Sequence, residues 1–214
     1  MQDKHTEPHW DSSALIIIDM QNAFVSPKID KEGTKASGII SNIKLLLDTF
    51  RKSRKPIIHV VRSYLSDGSD ADIYRKGIVE RTEFILAPGS QQAEIVSSLK
   101  PRDAPMLDFE ILRAGQFQTL GSNEWAMYKP RLGAFYKTPL ESWLKGKKID
   151  TLIFAGTFFP NCVRASITEA NERDFRTVAA KDAIFGMYDK AGKEIEAIGV
   201  SCLAAKDIVE SVYT

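Results

Sequence analysis

The stretch ALIIID, Ala14 to Asp19, is a continuous apolar run that ends in a carboxylate. Such a run suits a strand that is buried on both faces, because a strand with one solvated face alternates apolar and polar residues. Two similar runs follow along the chain, IIHVV at Ile57 to Val61 and TLIFAG at Thr151 to Gly156. Together the three runs predict a buried, mostly parallel sheet.

Helical patterns separate these runs. Apolar residues recur at helical spacing from Ile39 to Phe50, and a basic end followed by Pro56 stops the pattern. A helix is predicted from about Cys162 to Asp174, then a strand at Thr177 to Ala180 and a C-terminal helical pattern from Ile195 to Ile208. Alternating strands and helices favour an α/β fold, a three-layer α/β/α architecture of the Rossmann-like type.

The composition is that of an ordinary globular domain. Of the 214 residues 43% are apolar and 27% charged, so we expect a single domain over 1–214. The 29 basic and 28 acidic residues nearly cancel, which disfavours nucleic acid or an anionic membrane as a partner and favours a small-molecule substrate. The polar N-terminus and the lack of a long apolar run predict a cytoplasmic protein.

The segment from about 63 to 122 has weak periodicity and is interrupted by several glycines and prolines. A connection of this length inside a compact domain usually forms a lid or a partner surface. We expect some helix and a short strand there.

Three polar residues follow predicted strands: Asp19, Lys129 and Cys162. Ligands of such folds bind beyond the carboxyl ends of the strands, so these residues are candidates for catalysis. The start of a helix and a nearby lysine would lower the pKa of the Cys162 thiol. Each residue also has a structural reading: Asp19 as a helix cap, Cys162 as a small core residue and Lys129 as a surface charge.

Three segments carry a family resemblance: ALIIIDMQNAF at Ala14 to Phe24, YKPRLGAF at Tyr128 to Phe135, and AGTFFPNCVRASITEANERDFRTVAAKDA at Ala155 to Ala183. In order and spacing they resemble the isochorismatase-like cysteine hydrolase superfamily. The resemblance implies a six-stranded parallel sheet, no cofactor, and a catalytic triad of Asp19, Lys129 and Cys162.

By the same resemblance, Asp19 takes the thiol proton, and Cys162 attacks a carbonyl to form a thioester, which water hydrolyses. The substrate implied is a small amide, ureido or N-carbamoyl compound. Backbone N–H groups of Phe158 and Cys162 would bind the oxyanion, and relatives carry a cis peptide bond at the position of Thr157–Phe158.

Substrate contacts are less constrained. Arg62 follows the second strand and could hold a substrate carboxylate with its planar fork, or form a structural ion pair. Phe159 stands where relatives commonly have threonine. Further candidates for substrate binding are one polar and three aromatic residues near the motifs, Gln21, Phe24, Trp125 and Phe135. For the aromatic residues, packing in the core is the alternative.

The Asp-x-His metal site of nicotinamidases has no counterpart after the second strand, so we predict no metal. His59 is interpreted as a buried structural histidine, and Cys202 as a core residue within a helical pattern.

Two other functions stay open. Some relatives hydrolyse the vinyl ether of isochorismate without a cysteine, which the presence of Cys162 disfavours. The chain could also be an inactive binding or scaffold protein of the same fold. Relatives commonly form dimers or tetramers, so we expect a homo-oligomer.

Overall fold

A seven-stranded sheet forms the centre of the molecule. The computed structural model describes residues 3–25, 35–79 and 86–213, in which the strand order is β3-β4-β2-β1-β5-β6-β7. The strands are β1 (Ser13–Ile18), β2 (Ile57–Val61), β3 (Gln118–Gly121), β4 (Glu124–Tyr128), β5 (Thr151–Gly156), β6 (Arg176–Ile184) and β7 (Ser201–Leu203). Six strands run parallel, and only β3 at the edge is antiparallel to its neighbour. The prediction of six strands was therefore one short.

Helices cover both faces of this sheet. They are α1 (Asn22–Val25), α2 (Ile40–Lys52), α3 (Ile73–Val79), α4 (Phe109–Arg113), α5 (Leu140–Gly146), α6 (Arg164–Asn171), α7 (Ala191–Glu196) and α8 (Ala205–Val212). Alternate residues of β1 point to opposite faces, as the pleat of a strand requires. Leu15 and Ile17 pack in one core with α2 and α8, while Ile16 and Ile18 pack in the other with α5, α6 and α7. This is the three-layer fold that the sequence predicts.

The helix α2 shows how the sequence attaches the outer layer. Its apolar side chains at Ile43, Leu46, Leu47 and Phe50 recur on one face and are fully buried. Each such burial stabilises the fold by about 1.5–3 kcal/mol before entropy is subtracted. The two basic residues of the last turn, Arg51 and Lys52, match the negative end of the helix dipole.

Two segments near the C-terminal half differ from prediction. The helix predicted from about Cys162 consists of a π-helical turn at Phe159–Val163 followed by α6, which ends at Asn171. The helical pattern from Ile195 to Ile208 is broken by β7, so Cys202 lies in a strand and is half-buried. A three-residue strand between two short helices leaves too few residues for a period of two to be read.

The 63–122 segment holds α3, a 3-10 turn at Ser97–Leu99, α4 and β3, with residues 80–85 outside the described range. Asp108 caps α4 by accepting hydrogen bonds from the backbone N–H groups of Glu110 and Ile111. A lid or oligomer role for this segment stays a prediction. Within the described ranges, every helix is too short or too polar to cross a membrane.

Candidate active site

An acidic and a basic side chain meet beyond the carboxyl ends of the central strands. Asp19 follows β1 with a φ of 51°, a left-handed conformation that Asp tolerates better than most residues, and its N–H donates to the carbonyl of Val60. Lys129 follows β4, and its N–H donates to the carbonyl of Val61. Lys129 Nζ lies 2.9 Å from Asp19 Oδ2, and the side chains are 0% and 2% exposed. The two residues form a buried ion pair.

The nucleophile candidate, Cys162, reaches the same edge from β5. At the end of β5, a Cβ on Gly156 would lie 2.2 Å from the carbonyl oxygen of Ile18, so only glycine lets β5 approach β1 this closely. The π-helical turn then carries Cys162, which is 3% exposed. Ser166 in α6 holds this turn by donating its hydroxyl to the Cys162 carbonyl at 2.7 Å.

Electrostatics connect the thiol with its neighbours. The pKa of Cys162 is raised, first by burial and second by the negative charge of Asp19, while Lys129 and Arg62 act in the opposite direction. The expectation of a lowered thiol pKa was therefore wrong, because burial outweighs the cations. A raised pKa favours the neutral form of the thiol in the resting site. Asp19 Oδ1 is buried and has no hydrogen-bond partner among the described residues.

The loop between β5 and Cys162 presents backbone donors. The peptide bond between Thr157 and Phe158 is cis, at the position that the family resemblance implies. Within the described part of the chain, the backbone N–H of Phe158 donates to no acceptor, whereas that of Phe159 donates to the carbonyl of Phe185. The Phe158 ring is 39% exposed and packs against Phe185 at a centroid distance of 5.6 Å.

A second buried cation, Arg62, follows β2, the strand that lies between β1 and β4 in the sheet. Its side chain is 1% exposed, and Nη1 donates to Asp72 Oδ2 and to the Tyr64 hydroxyl. Burial alone would lower the pKa of Arg62, but the negative charge of Asp19 and other nearby acidic groups, Cys162 among them, raises it overall. Nε and Nη2 are buried and lack partners in the described ranges. Arg62 therefore lies within electrostatic reach of the candidate nucleophile, and among the described residues its guanidinium is only partly paired.

A model of the isochorismatase domain matches residues 13–197, most of the chain. The chain belongs to the isochorismatase family. A crystal structure of an isochorismatase family protein from Desulfovibrio vulgaris is similar with a TM-score of 0.76 and 29% identity, over 95% of this chain and 99% of that one.

Two relatives of this isochorismatase family member have more specific descriptions. A ureidoacrylate amidohydrolase from Methylorubrum extorquens is 27% identical over 183 residues, which are 81% of this chain and 69% of that protein. A protein of Arabidopsis thaliana described as a probable inactive nicotinamidase is 26% identical over 170 residues, 79% of this chain and 78% of that one.

Gln21 was expected to contact the substrate, whereas in this family member its side chain binds the protein backbone. Its amide nitrogen donates to the carbonyls of Arg62, at 2.8 Å, and Ala93, at 2.5 Å. Its amide oxygen accepts from the backbone N–H of Arg62 at 2.8 Å. The buried side chain thus holds the backbone of Arg62, and the structure gives it a positioning contact.

The candidate aromatic residues are spread over the fold. Phe159 is fully buried in the same core as Cys162, and Phe24 packs with Tyr64 beside Arg62. Phe135 contacts Phe175 at a centroid distance of 5.8 Å and faces the core next to α6. Trp125 lies in the first half of β4, away from Lys129. There it contacts Trp143 at 4.9 Å, so the structure does not bring Trp125 to the site.

His59 has a structural partner in the isochorismatase fold. It lies in β2, where its Nε2 is 2.7 Å from Glu124 Oε1, and Arg51 binds the same carboxylate through Nε at 2.8 Å. Hydrogen bonding to these two residues lowers the pKa of Glu124 although burial opposes it. Within the described ranges, no three or more His, Cys, Asp or Glu side chains are grouped as metal ligands.

Sequence reasoning missed the charged residues around Arg62. Asp72 binds Arg62 and lies 3.6 Å from Arg131 Nε, while Asp70 Oδ2 lies 2.7 Å from Arg113 Nη2. The signal was present in the density of charges just after β2, in RSYLSDGSDADIYR. Its pairing could not be read, because the partners come from the loop after β4 and from α4. A cavity of about 690 Å³ adjoins Arg113 and is lined by Leu65, Met106 and Phe109 among others.

Proposed function

We propose that this isochorismatase family member is a cysteine hydrolase that cleaves the C–N bond of a small amide, ureido or N-carbamoyl compound through a thioester. The observation that carries the proposal is the buried Asp19–Lys129 pair, 2.9 Å apart, within electrostatic reach of the Cys162 thiol. Three chain segments must fold together to create this arrangement. The ureidoacrylate amidohydrolase relative supports the choice of bond.

The neutral thiol requires a base, and Asp19 is positioned for that role. Its unpartnered Oδ1 can accept the Cys162 proton, while the charge of Lys129 lowers the pKa of the thiol and stabilises the ion formed. The sulfur then attacks the substrate carbonyl carbon, and the C=O electron pair moves onto oxygen. The backbone N–H groups of Phe158 and Cys162 are the proposed donors to that oxyanion.

Collapse of the tetrahedral intermediate breaks the C–N bond. Asp19 returns its proton to the leaving nitrogen, which departs as ammonia or an amine and leaves an acyl group on Cys162. A water molecule next gives a proton to Asp19 and attacks the thioester carbonyl. Expulsion of the thiolate, which recovers the proton from Asp19, releases the acid and restores the resting site.

Loss of catalysis with retention of the fold is the second candidate, because one relative is described as a probable inactive nicotinamidase. A buried thiol with a raised pKa would also suit a structural cysteine. The vinyl-ether reaction is less suitable, since it needs an acid and no thiol. The buried ion pair favours activity, because two charges beside a core thiol have no evident packing purpose.

The test measures ammonia release from a panel of amides, ureido acids and N-carbamoyl compounds. Cys162→Ala should abolish turnover without loss of stability, whereas the matched control Cys202→Ala should keep it. Cys202 is suitable because it is half-buried in β7, where its sulfur lies 3.8 Å from the carbonyl of Gly192. A Cys162→Ala protein that retained most of its activity would exclude the thioester, and a wild type inactive on the whole panel would favour the scaffold.

A further inference from the structure

Arg62 carries two hydrogen-bond donors that find no acceptor in the described part of the fold. The residue is 0% exposed, yet Nε and Nη2 have no partner among residues 3–25, 35–79 and 86–213. A buried donor without an acceptor typically costs about 1–3 kcal/mol, and more when it is charged. Most such groups are paired in folded proteins, so this exception needs a physical reason.

The two unused donors form one edge of the guanidinium plane. Nε and Nη2 lie side by side and point in the same direction, which is the arrangement that binds both oxygens of a carboxylate at once. Nη1, on the other side, is held by Asp72 and Tyr64. The described residues thus fix one side of the fork and give the bidentate edge no partner.

The side chain of Arg62 starts at the same edge of the sheet as Asp19 and lies within electrostatic reach of Cys162. Asp19 and Arg62 follow the adjacent strands β1 and β2, in which Ile18 is paired with Val60, and such strands lie about 4.8 Å apart. The charges of Asp19 and Cys162 both act on Arg62. Gln21 holds the Arg62 backbone through both its N–H and its carbonyl, which fixes where the side chain starts.

The balance of charge around Arg62 leaves room for one anion. Asp19 pairs with Lys129, and Asp72 lies between Arg62 and Arg131. These five side chains comprise three cations, of which Arg131 is 46% exposed, and two carboxylates, so an added anion would not give the set an excess of negative charge. A substrate with a single negative charge would complete the set.

We propose that the Nε–Nη2 edge of Arg62 binds the carboxylate of the substrate, so that the substrate is a short acid carrying a ureido, N-carbamoyl or amide group. The acid is short because Arg62 and Asp19 follow neighbouring strands. Few bonds can therefore separate the carboxylate from the carbonyl that Cys162 attacks. This inference rests on the proposed hydrolase activity and specifies its substrate class.

The test is a binding measurement that needs no turnover. Isothermal titration calorimetry on the Cys162→Ala protein compares N-carbamoylglycine with its methyl ester, which lacks the negative charge. Two charge-assisted hydrogen bonds predict that the acid binds about tenfold to a hundredfold more tightly than the ester. Adding Arg62→Lys, which keeps the charge and removes the planar fork, should reduce this preference by at least about tenfold.

Arg51 provides the matched control, because its Nε and Nη2 are both bound to Glu124 at the start of β4, away from the site. Arg51→Lys in the Cys162→Ala protein should leave the preference for the acid unchanged. If Arg62→Lys prevents folding, the ratio of the affinities of the Cys162→Ala protein for the acid and for the ester decides alone. A purely electrostatic role of Arg62 on the thiol predicts equal binding of acid and ester.

Equal affinity for acid and ester, or no binding of N-carbamoylglycine and its next two homologues, would overturn the proposal. Failure of the hydrolase proposal gives a different result. In that case the acids bind to the Cys162→Ala protein with the predicted preference, and the wild type releases no ammonia from them. Conversely, ammonia release with equal kcat/KM from acid and ester would retain the hydrolase and reject the role of Arg62.

Discussion

Replacing Lys129 with methionine removes the charged atom that lies 2.9 Å from Asp19 Oδ2 in a buried ion pair. Methionine has a similar length and shape, so the apolar part of the packing is kept. Asp19 is left as a carboxylate that is 2% exposed and without its counterion. The perturbation therefore tests the charge pair and leaves the core volume nearly constant.

The expected loss follows from the burial of both partners. Breaking a buried ion pair by removing one member costs about 3–5 kcal/mol, because the remaining charge is neither solvated nor paired. A domain is stable by about 5–15 kcal/mol, so the variant should fold but unfold at a clearly lower urea concentration. Adding Asp19→Asn removes the stranded charge, and we expect a coupling energy of about 1–3 kcal/mol between the two sites.

Urea denaturation at neutral pH, followed by circular dichroism, measures all four proteins of this double-mutant cycle. Lys206→Met is the control, since Lys206 and Glu210 are 3.9 Å apart on the surface of α8 and their side chains are 81% and 68% exposed. That substitution should change the free energy of unfolding by less than about 1 kcal/mol. A loss for Lys129→Met as small as that of the control would refute the buried pair.

Three further results are expected. In a protein that lacks Cys202, Asp19→Asn should lower the pKa of Cys162, because the negative charge of Asp19 raises that pKa. The absorbance of the thiolate would then appear at a lower pH than in the protein that keeps Asp19. A shift of the titration to higher pH would contradict this. Gly133→Ala should destabilise by about 1–3 kcal/mol, because its Cβ would lie 2.1 Å from the Glu169 carboxyl group, which would have to move and lose the hydrogen bond that it accepts from the Phe135 N–H. Gly146→Ala, whose Cβ would meet no described atom within 4 Å, should not destabilise, and equal melting temperatures would count against this packing. The pKa of Glu124 is lowered, so the stability that its carboxylate contributes is present above the unfolded-state pKa of about 4.3 and is lost as pH falls through the native-state pKa. Glu124→Gln should therefore reduce the loss of unfolding free energy at acid pH. Superimposable plots of stability against pH for the wild type and the variant would exclude the effect.

The sequence was most informative where local pattern and global fold agree. The runs that became β1, β2 and β5 are apolar on both faces, and α2 has the amphipathic spacing of a docked helix, so each could be read without knowledge of its partners. The edge strand β3 could not be read in this way. It has four residues and pairs only with β4, so its existence depends on a neighbour more than on its own pattern.

The convergence of the candidate residues could be predicted from the sequence, whereas their electrostatics could not. Asp19, Lys129 and Cys162 were chosen because they follow strands, and the sheet topology brings them to one edge. The raised pKa of Cys162 depends on burial and on net charge at close range, which spacing along the chain does not reveal. The same limit applies to Gln21, whose amide could bind a substrate or the backbone, and binds the backbone.

Several departures from ordinary protein chemistry lie where the chemistry is proposed. Asp19 and Arg62 supply three buried side-chain atoms that lack a hydrogen-bond partner in the described ranges, and Asp19 also has a left-handed backbone. The strands that carry these two residues are fully buried and regularly paired, so the fold itself does not require the exceptions. Sequences usually satisfy local rules except where function opposes them. An unused carboxylate oxygen and an unused guanidinium edge are complementary to a thiol proton and a substrate anion, which gives both exceptions one explanation.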